Sequence, residues 1–213
     1  MVSDECAWSC ATCEEQNIVK GAKDGEDHGF EDETQVQIIA HRGASAEAPE
    51  NSLEAFQLAI DMGCDWIECD VRVSKNGELV VIHDPVEDGA APTLQQVLAL
   101  DRKDVGLMIE LKVDCVDQVL PLVTEEKRIV VGCLDPAVVS KIPRRLAIGI
   151  ARTGDALATY REMGIERLAV SQELDYSGAW VWTVDGVEAA RAAVANGATG
   201  IITNDPRPLL KAL

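Results

Sequence analysis

The stretch Trp66–Pro85, WIECDVRVSKNGELVVIHDP, places two acids and a histidine in a segment otherwise rich in Val and Ile. At its centre, Lys75-Asn76-Gly77-Glu78 carries the Asn-Gly pair suited to a two-residue type I′ hairpin loop, because both central positions take positive φ. With Asn76 and Gly77 as that loop, Lys75 opposes Glu78 and, counting outward, Asp70 opposes His83. Strand residues two apart share a face, and directly opposed Cβ atoms lie about 4.5–5.5 Å apart. Glu68 therefore joins Asp70 and His83 on one side. Val71 with Ile82 and Val73 with Val80 take the other. The hairpin predicts one chemical face and one buried face, the plain alternative being a hairpin whose polar face simply meets water.

Outward from this hairpin, β-rich runs alternate with helical patterns from Gln37 onward, the signature of βα units and a parallel sheet. The strand candidates are QIIAHRG, DWIECDVRVS with its return ELVVIHD, GLMIELKV, RIVVGCL, RLAIGIAR, RLAVSQ, AWVWTV and GIITND. Helix candidates lie at 52–62, 93–100, 116–126, 136–142, 155–163, 187–196 and 207–212. Not counting the hairpin return, this is the strand count of a (β/α)8 TIM barrel with a β-hairpin extension after strand 2. In the first helix Asn51 is read as the cap, with Glu54 reaching back and Leu53, Phe56 and Ile60 forming the apolar stripe before Gly63.

One connection departs from the pattern. Only ELDYSG, residues 173–178, joins RLAVSQ to AWVWTV, whereas a parallel crossover takes a dozen or more residues. The sixth helix is therefore predicted to be absent. Its loss should expose apolar surface around Leu168, Val170 and Val181, loosen Trp182, and make the chain marginally stable and prone to self-association.

A chain of 213 residues can build one sizeable core. The expected organisation is an acidic leader over residues 1–36 and a barrel over 37–213. The leader holds ten acids and two lysines, yet the formal net charge of −18 extends well beyond it. Such a charge opposes binding to nucleic acid or to an anionic membrane through a general field. There is no apolar run long enough to cross a bilayer and no basic and apolar signal-peptide pattern, so the expectation is a soluble, cytoplasmic protein without an integral membrane segment. Cys64, Cys69, Cys115 and Cys133 sit in apolar contexts that suit buried thiols. Cys6, Cys10 and Cys13, in CAWSCATC, have the spacing of an iron–sulfur motif, but an acidic stretch follows them and they are read as incidental thiols of a flexible leader, with His28 beside them.

The polar interruptions of the strands fall at or toward their C-terminal ends, where a barrel places its active site. These are His41 and Arg42, Glu68 and Asp70, and Glu110 with Lys112 two residues on. Three carboxylates on neighbouring strands offer hard oxygen ligands suited to Mg²⁺ or Ca²⁺. Without an ion they would repel and at least one would take up a proton; a lysine-neutralised salt-bridge network is the alternative. His41 and His83 on the same mouth suit an acid–base pair. Arg42 and Lys112 add positive charge where a phosphate ester could be held. The pattern points to metal-assisted phosphoryl chemistry.

HRGASAEAPENSLEAF, IECDVRVSKNGELVVIHD, IELK and WVWTVDGVEAARAAVANGATGIITNDP together resemble the glycerophosphodiester phosphodiesterase family, over residues 38 to about 210. The resemblance implies a (β/α)8 barrel that hydrolyses glycerophosphodiesters to sn-glycerol 3-phosphate and an alcohol with a divalent metal. It implies His41 and His83 as the catalytic pair, Glu68, Asp70 and Glu110 as metal ligands, and Arg42 and Lys112 as phosphate contacts. Trp182 would line the glycerol side of the pocket, a core tryptophan being its alternative. In the implied two-step course a glycerol hydroxyl attacks phosphorus, one histidine taking its proton and the other protonating the leaving alcohol, and water then opens the cyclic phosphate. The short segment between His83 and IELK implies an open mouth. Two other readings stand beside this one: a phospholipase D acting on lysophospholipids or sphingomyelin, and a catalytically silent barrel serving as a binding module.

Overall fold

The computed structural model describes residues 35–85, 91–126 and 128–213. Expectations for the leader cysteines and His28 fall outside the described residues. The barrel lies within the compact unit Glu33–Leu213. In chain order its elements are β1 (Gln37–Ala40), α1 (Leu53–Met62), β2 (Trp66–Val73), β3 (Leu79–Val81), α2 (Leu94–Leu98), β4 (Gly106–Leu111), α3 (Val116–Val123) and β5 (Ile129–Cys133). There follow α4 (Pro136–Val139), β6 (Ala147–Ala151), α5 (Gly154–Glu162), β7 (Arg167–Ser171), β8 (Trp180–Trp182), α6 (Val187–Ala195), β9 (Gly200–Thr203) and α7 (Pro206–Ala212).

Eight parallel strands form the ring β1-β2-β4-β5-β6-β7-β8-β9, closed where β1 pairs with both β2 and β9, and β3 hangs antiparallel on β2. Alternation along each strand sorts the side chains into two layers. Inside the ring, every strand gives a residue to one buried cluster: Ile39, Trp66, Met108, Val130, Ile148, Ala169, Trp180 and Ile202. The Trp66 and Trp180 rings meet at 5.2 Å between centroids, and Arg128 lies over Trp66. Outside the ring, Ile67, Cys69, Val71, Leu107, Ile109 and Leu111 face a core shared with α1–α5. Even-numbered positions of β2 and β4 therefore point into the barrel, which is what brings Glu68, Asp70 and Glu110 to its axis.

The hairpin register differs from the expected one by a residue. Ser74 and Glu78 close the loop, the Ser74 N–H donating to the Glu78 carbonyl at 2.9 Å, and the strands pair Val71 with Val81, Arg72 with Val80 and Val73 with Leu79. Three residues thus form the loop, and of Asn76 and Gly77 only Gly77 takes positive φ, at 84°. This is the turn-plus-left-handed-glycine loop that Asn-Gly serves as readily as the two-residue one. Burial decides between them: the observed register sets Val71, Val73, Leu79 and Val81 together against the helix-side core. Asp70 consequently opposes Ile82, whose N–H donates to its carbonyl, and does not oppose His83.

The cap of α1 is also displaced by one. Ser52 is the N-cap, its hydroxyl accepting from the Ala55 N–H at 3.0 Å, and Gly63 ends the helix in the left-handed region. Asn51, one residue earlier, is freed for another task.

Between β7 and β8 there is no helix, only turns over residues 172–179. The expected exposure of the strands' outer faces does not follow: Val170 and Val181 are fully buried and Leu168 is partly buried. Leu174 and Tyr176 of the short connection pack onto the core clusters that contain them. Backbone bonds from Leu174 N–H to Ser171, Ala179 N–H to Tyr176 and Gly178 N–H to Gly197 tie the turn down. Two apolar side chains on a tight turn do here what a helix does elsewhere. Trp182 is likewise held, paired with Ser171 and accepting from the Gln172 N–H. Among the described residues no helix is long and apolar enough to cross a membrane.

Candidate active site

At the C-terminal mouth a cleft of about 210 Å³ is lined by His41, Arg42, Glu68, His83, Glu110, Lys112, Arg152 and Trp182, above a floor that includes Met108, Ile150 and Ile202. That size suits a small polar molecule rather than a lipid chain, since pockets for drug-sized ligands run from about 300 Å³ upward.

Glu68, Asp70 and Glu110 offer oxygens that all lie within 4.8 Å of one another. Glu68 and Asp70 are almost completely buried. One Glu68 oxygen accepts from the Arg42 N–H at 2.9 Å, while Glu68 Oε1 is buried without a hydrogen-bond partner among the described residues and Asp70 Oδ1 faces the Lys112 ammonium. Burial, and then the neighbouring Asp70 and Glu110 carboxylates, push the Glu68 carboxyl well above its usual range. Two cations offset part of this charge. Lys112 Nζ lies 2.7 Å from Glu110 and 3.3 Å from Asp70; burial alone would lower its pKa, but these two acids raise it. Arg42 Nε stands 3.1 Å from Asp70, and its Nη1 donates to Glu50 at 2.8 Å. Two cations against three ring acids, with Glu50 drawing on one of them, leave an excess of negative charge and, at Glu68 Oε1, an oxygen without a partner among the described residues. The donor set therefore fits a hard divalent cation.

Arg42 reaches this position through a left-handed backbone at φ 57°, followed by Gly43 at φ 79°. A Cβ on Gly43 would stand 2.6 Å from the Ala55 backbone, so the loop can lie on α1 only with glycine there. Asn51 locks the loop to β2: its Nδ2 donates to Asp70 Oδ2 at 2.8 Å, and the Asp70 N–H donates to its Oδ1 at 3.2 Å.

His41 follows β1, and its Nδ1 lies 2.8 Å from Asn204 Oδ1 after β9. Asn204 is itself oriented by Asp185, which accepts from the Asn204 side-chain amide at 2.8 Å, from its backbone N–H at 2.8 Å and from the Thr203 hydroxyl at 2.9 Å. Burial acts to raise the Asp185 carboxyl, and these bonds outweigh it and hold the group below its usual value. Because that carboxylate only accepts, the Asn204 amide must present its oxygen to His41, so His41 Nδ1 carries the proton and Nε2 keeps a bare lone pair. Burial lowers the His41 pKa, the Asn204 bond opposing it.

His83 comes to the cleft by a different route from the expected one. After β3 the chain bends, and Arg72, on the same face as Asp70, donates from Nε to the His83 carbonyl at 2.7 Å. Its Nδ1 lies 2.9 Å from the exposed Asp84 carboxylate.

The structure thus brings together all eight residues singled out in the sequence. It adds Asn51, Asn204, Asp185 and Arg152. The last three stand at or after the C-terminal ends of strands, the same signal that marked Glu110 and Lys112; Asn51 was hidden by the adjacent Ser52, which takes the capping role.

The fold and site define a (β/α)8 barrel with a three-carboxylate, two-histidine mouth. The family model described as Glycerophosphoryl diester phosphodiesterase family matches residues 41–90. The chain is 39% identical over 109 residues to the protein YhdW of Bacillus subtilis, a match spanning 36% of this chain and 45% of that protein. The solved glycerophosphodiester phosphodiesterase of Thermotoga maritima superposes with a TM-score of 0.71 at 25% identity, covering 83% of this chain and 98% of that one. A phosphodiesterase of Oleispira antarctica, solved in complex with the product sn-glycerol-3-phosphate, shares the fold at 18% identity and a TM-score of 0.65, over 83% and 96% of the two chains. The chain is thus similar to the glycerophosphodiester phosphodiesterase family in the matched segment 41–90 and in fold, and it spans less than half the length of the curated relative it matches.

Proposed function

We propose that this chain is a phosphodiesterase that hydrolyses glycerophosphodiesters to sn-glycerol 3-phosphate and an alcohol, with Mg²⁺ or Ca²⁺ held by Glu68, Asp70 and Glu110. The observation that carries the proposal is the meeting of His41 and His83 with three carboxylates whose oxygens lie within 4.8 Å of one another, in one small cleft. A divalent cation bound there would neutralise charge on the phosphoryl oxygens and help to hold the diester in place. Arg42 and Lys112 flank the phosphate, and Trp182 lines the wall beside it. In the first step the substrate's neighbouring hydroxyl forms the new P–O bond and gives its proton to His41 Nε2, the bare lone pair left by the bond to Asn204. The bond to the leaving alcohol breaks as His83 supplies that alcohol with a proton. Water then opens the cyclic phosphate with the two histidines exchanging roles.

The test is release of sn-glycerol 3-phosphate from glycerophosphocholine, glycerophosphoethanolamine and glycerophosphoinositol, with lysophosphatidylcholine alongside. Turnover of the glycerophosphodiesters is expected, and His41→Ala or His83→Ala should keep less than about a hundredth of the rate, since proton transfer by a positioned side chain contributes about 10²–10⁴. Turnover of lysophosphatidylcholine alone would replace the proposal with a phospholipase D; turnover of neither would overturn it.

A further inference from the structure

Three cationic side chains line the cleft, and they are not equivalent. Arg42 and Lys112 are each committed to two carboxylates. Arg152, just past the end of β6, has no acidic partner among the described residues; its guanidinium lies over the Trp182 ring, 5.3 Å from the centroid. Both residues line the cleft that holds the acids and histidines. Trp182 keeps its Nε1–H buried without an acceptor among the described residues. In the ring, β6 and β8, which supply this pair, stand across the barrel from β2 and β4, which supply the carboxylates. The wall opposite the acid cluster therefore holds a solvent-exposed cation with no acidic partner and a buried donor with no acceptor, among the described residues.

We propose that Arg152, stacked on Trp182, is a specificity residue that selects diesters bearing a second anionic group, a phosphate or carboxylate, beyond the scissile phosphate. The inference rests on the phosphodiesterase reading above. The planar guanidinium suits phosphate and carboxylate geometry, and its contact with the Trp182 ring restrains the side chain, so less freedom is lost when an anion binds. The same stacking covers one face of Trp182, the kind of surface on which a quaternary ammonium head would otherwise sit. Cationic heads are disfavoured twice, by charge and by loss of that face. The formal net charge of −18 makes a local cation more telling, because the general field of the protein does not attract anions.

The experiment compares glycerophosphoinositol with glycerophosphoinositol 4-phosphate, which differ by one phosphate, in binding by calorimetry and in kcat/KM, with Mg²⁺ present. Wild-type protein is expected to favour the phosphorylated ligand at least tenfold in both readouts, with the ratio shrinking as salt is raised. Arg152→Gln should bring the ratio to within about twofold of unity, and Arg152→Lys should restore part of it, a rescue that a merely structural role would not produce. Circular dichroism confirms that each variant is folded. Equal affinity for the two ligands in wild type, or an undiminished ratio in Arg152→Gln, would overturn the inference even if both diesters are hydrolysed. Charge-selective binding lost in Arg152→Gln, without any turnover, would support it and overturn the hydrolytic reading instead.

Discussion

Replacing Asn51 tests how the mouth is held together. Asn51 is 4% exposed and Asp70 1%, and two hydrogen bonds join them, one from the amide to the carboxylate and one from the Asp70 backbone N–H. A bond to a charged group contributes about 1.5–3 kcal/mol and a neutral one about 0.5–1.5 kcal/mol. Asn51 also sits at φ 57°, where a residue with a Cβ and no local polar compensation pays about 1–2 kcal/mol. Asn51→Ala loses both bonds and meets that backbone penalty, for a total of roughly 3–6.5 kcal/mol. Asn51→Gly loses the bonds but avoids the penalty, so it should be about 1 kcal/mol less damaging than alanine. Urea unfolding of the metal-free chain, followed by circular dichroism, measures both. A loss below about 1 kcal/mol for Asn51→Ala would refute the pairing as a structural lock, and alanine no worse than glycine would refute the backbone part.

The acid limb of the kcat/KM profile should fall below 6.5, the ordinary imidazole value, because burial lowers the His41 pKa and its basic form persists to lower pH; an acid limb above that value would exclude His41 as the base. Burial and the neighbouring acids raise Glu68, so metal-free protein loses stability as pH rises from the usual carboxylate range through that raised pKa, and metal loading must displace the proton. Calcium affinity should accordingly weaken from pH 7 to pH 5, read by calorimetry in buffers of different ionisation enthalpy, while Glu68→Gln stabilises the metal-free chain at pH 7 and binds calcium at least tenfold more weakly; pH-independent affinity would count against the site. Replacing Leu174 and Tyr176 together with serine should uncover Val170 and Val181, removing about 2–3 kcal/mol and lowering Tm by roughly 5–10 °C for a chain of this size; an unchanged melting curve would show that the short connection does not seal the barrel.

Much of the site was legible in the chain itself because a barrel strand has only two directions for its side chains. Polar residues at even spacing within Val- and Ile-rich runs, Glu68 with Asp70 and Glu110 with Lys112, must share a face, and parallel strands place their C-terminal ends together. The absence of the sixth helix was legible for the same reason: six residues between two strands leave no room for one. Tertiary structure decided everything that depends on a choice between near-equivalent local solutions. Asn-Gly permits two hairpin loops, and only burial of Leu79 and Val81 against the common core selects the one that opposes Asp70 to Ile82. Asn51 and Ser52 can each cap a helix, and the choice turns on Asp70, 19 residues away, needing a partner for its carboxylate and its N–H. The proton on His41 is set by Asn204, 163 residues further along, and by Asp185 behind it, a relay that exists only once β9 closes the ring against β1. Local periodicity acts over a few residues and can be read from the chain; partners for buried polar groups are fixed by closure of the barrel, which joins residues from its two ends.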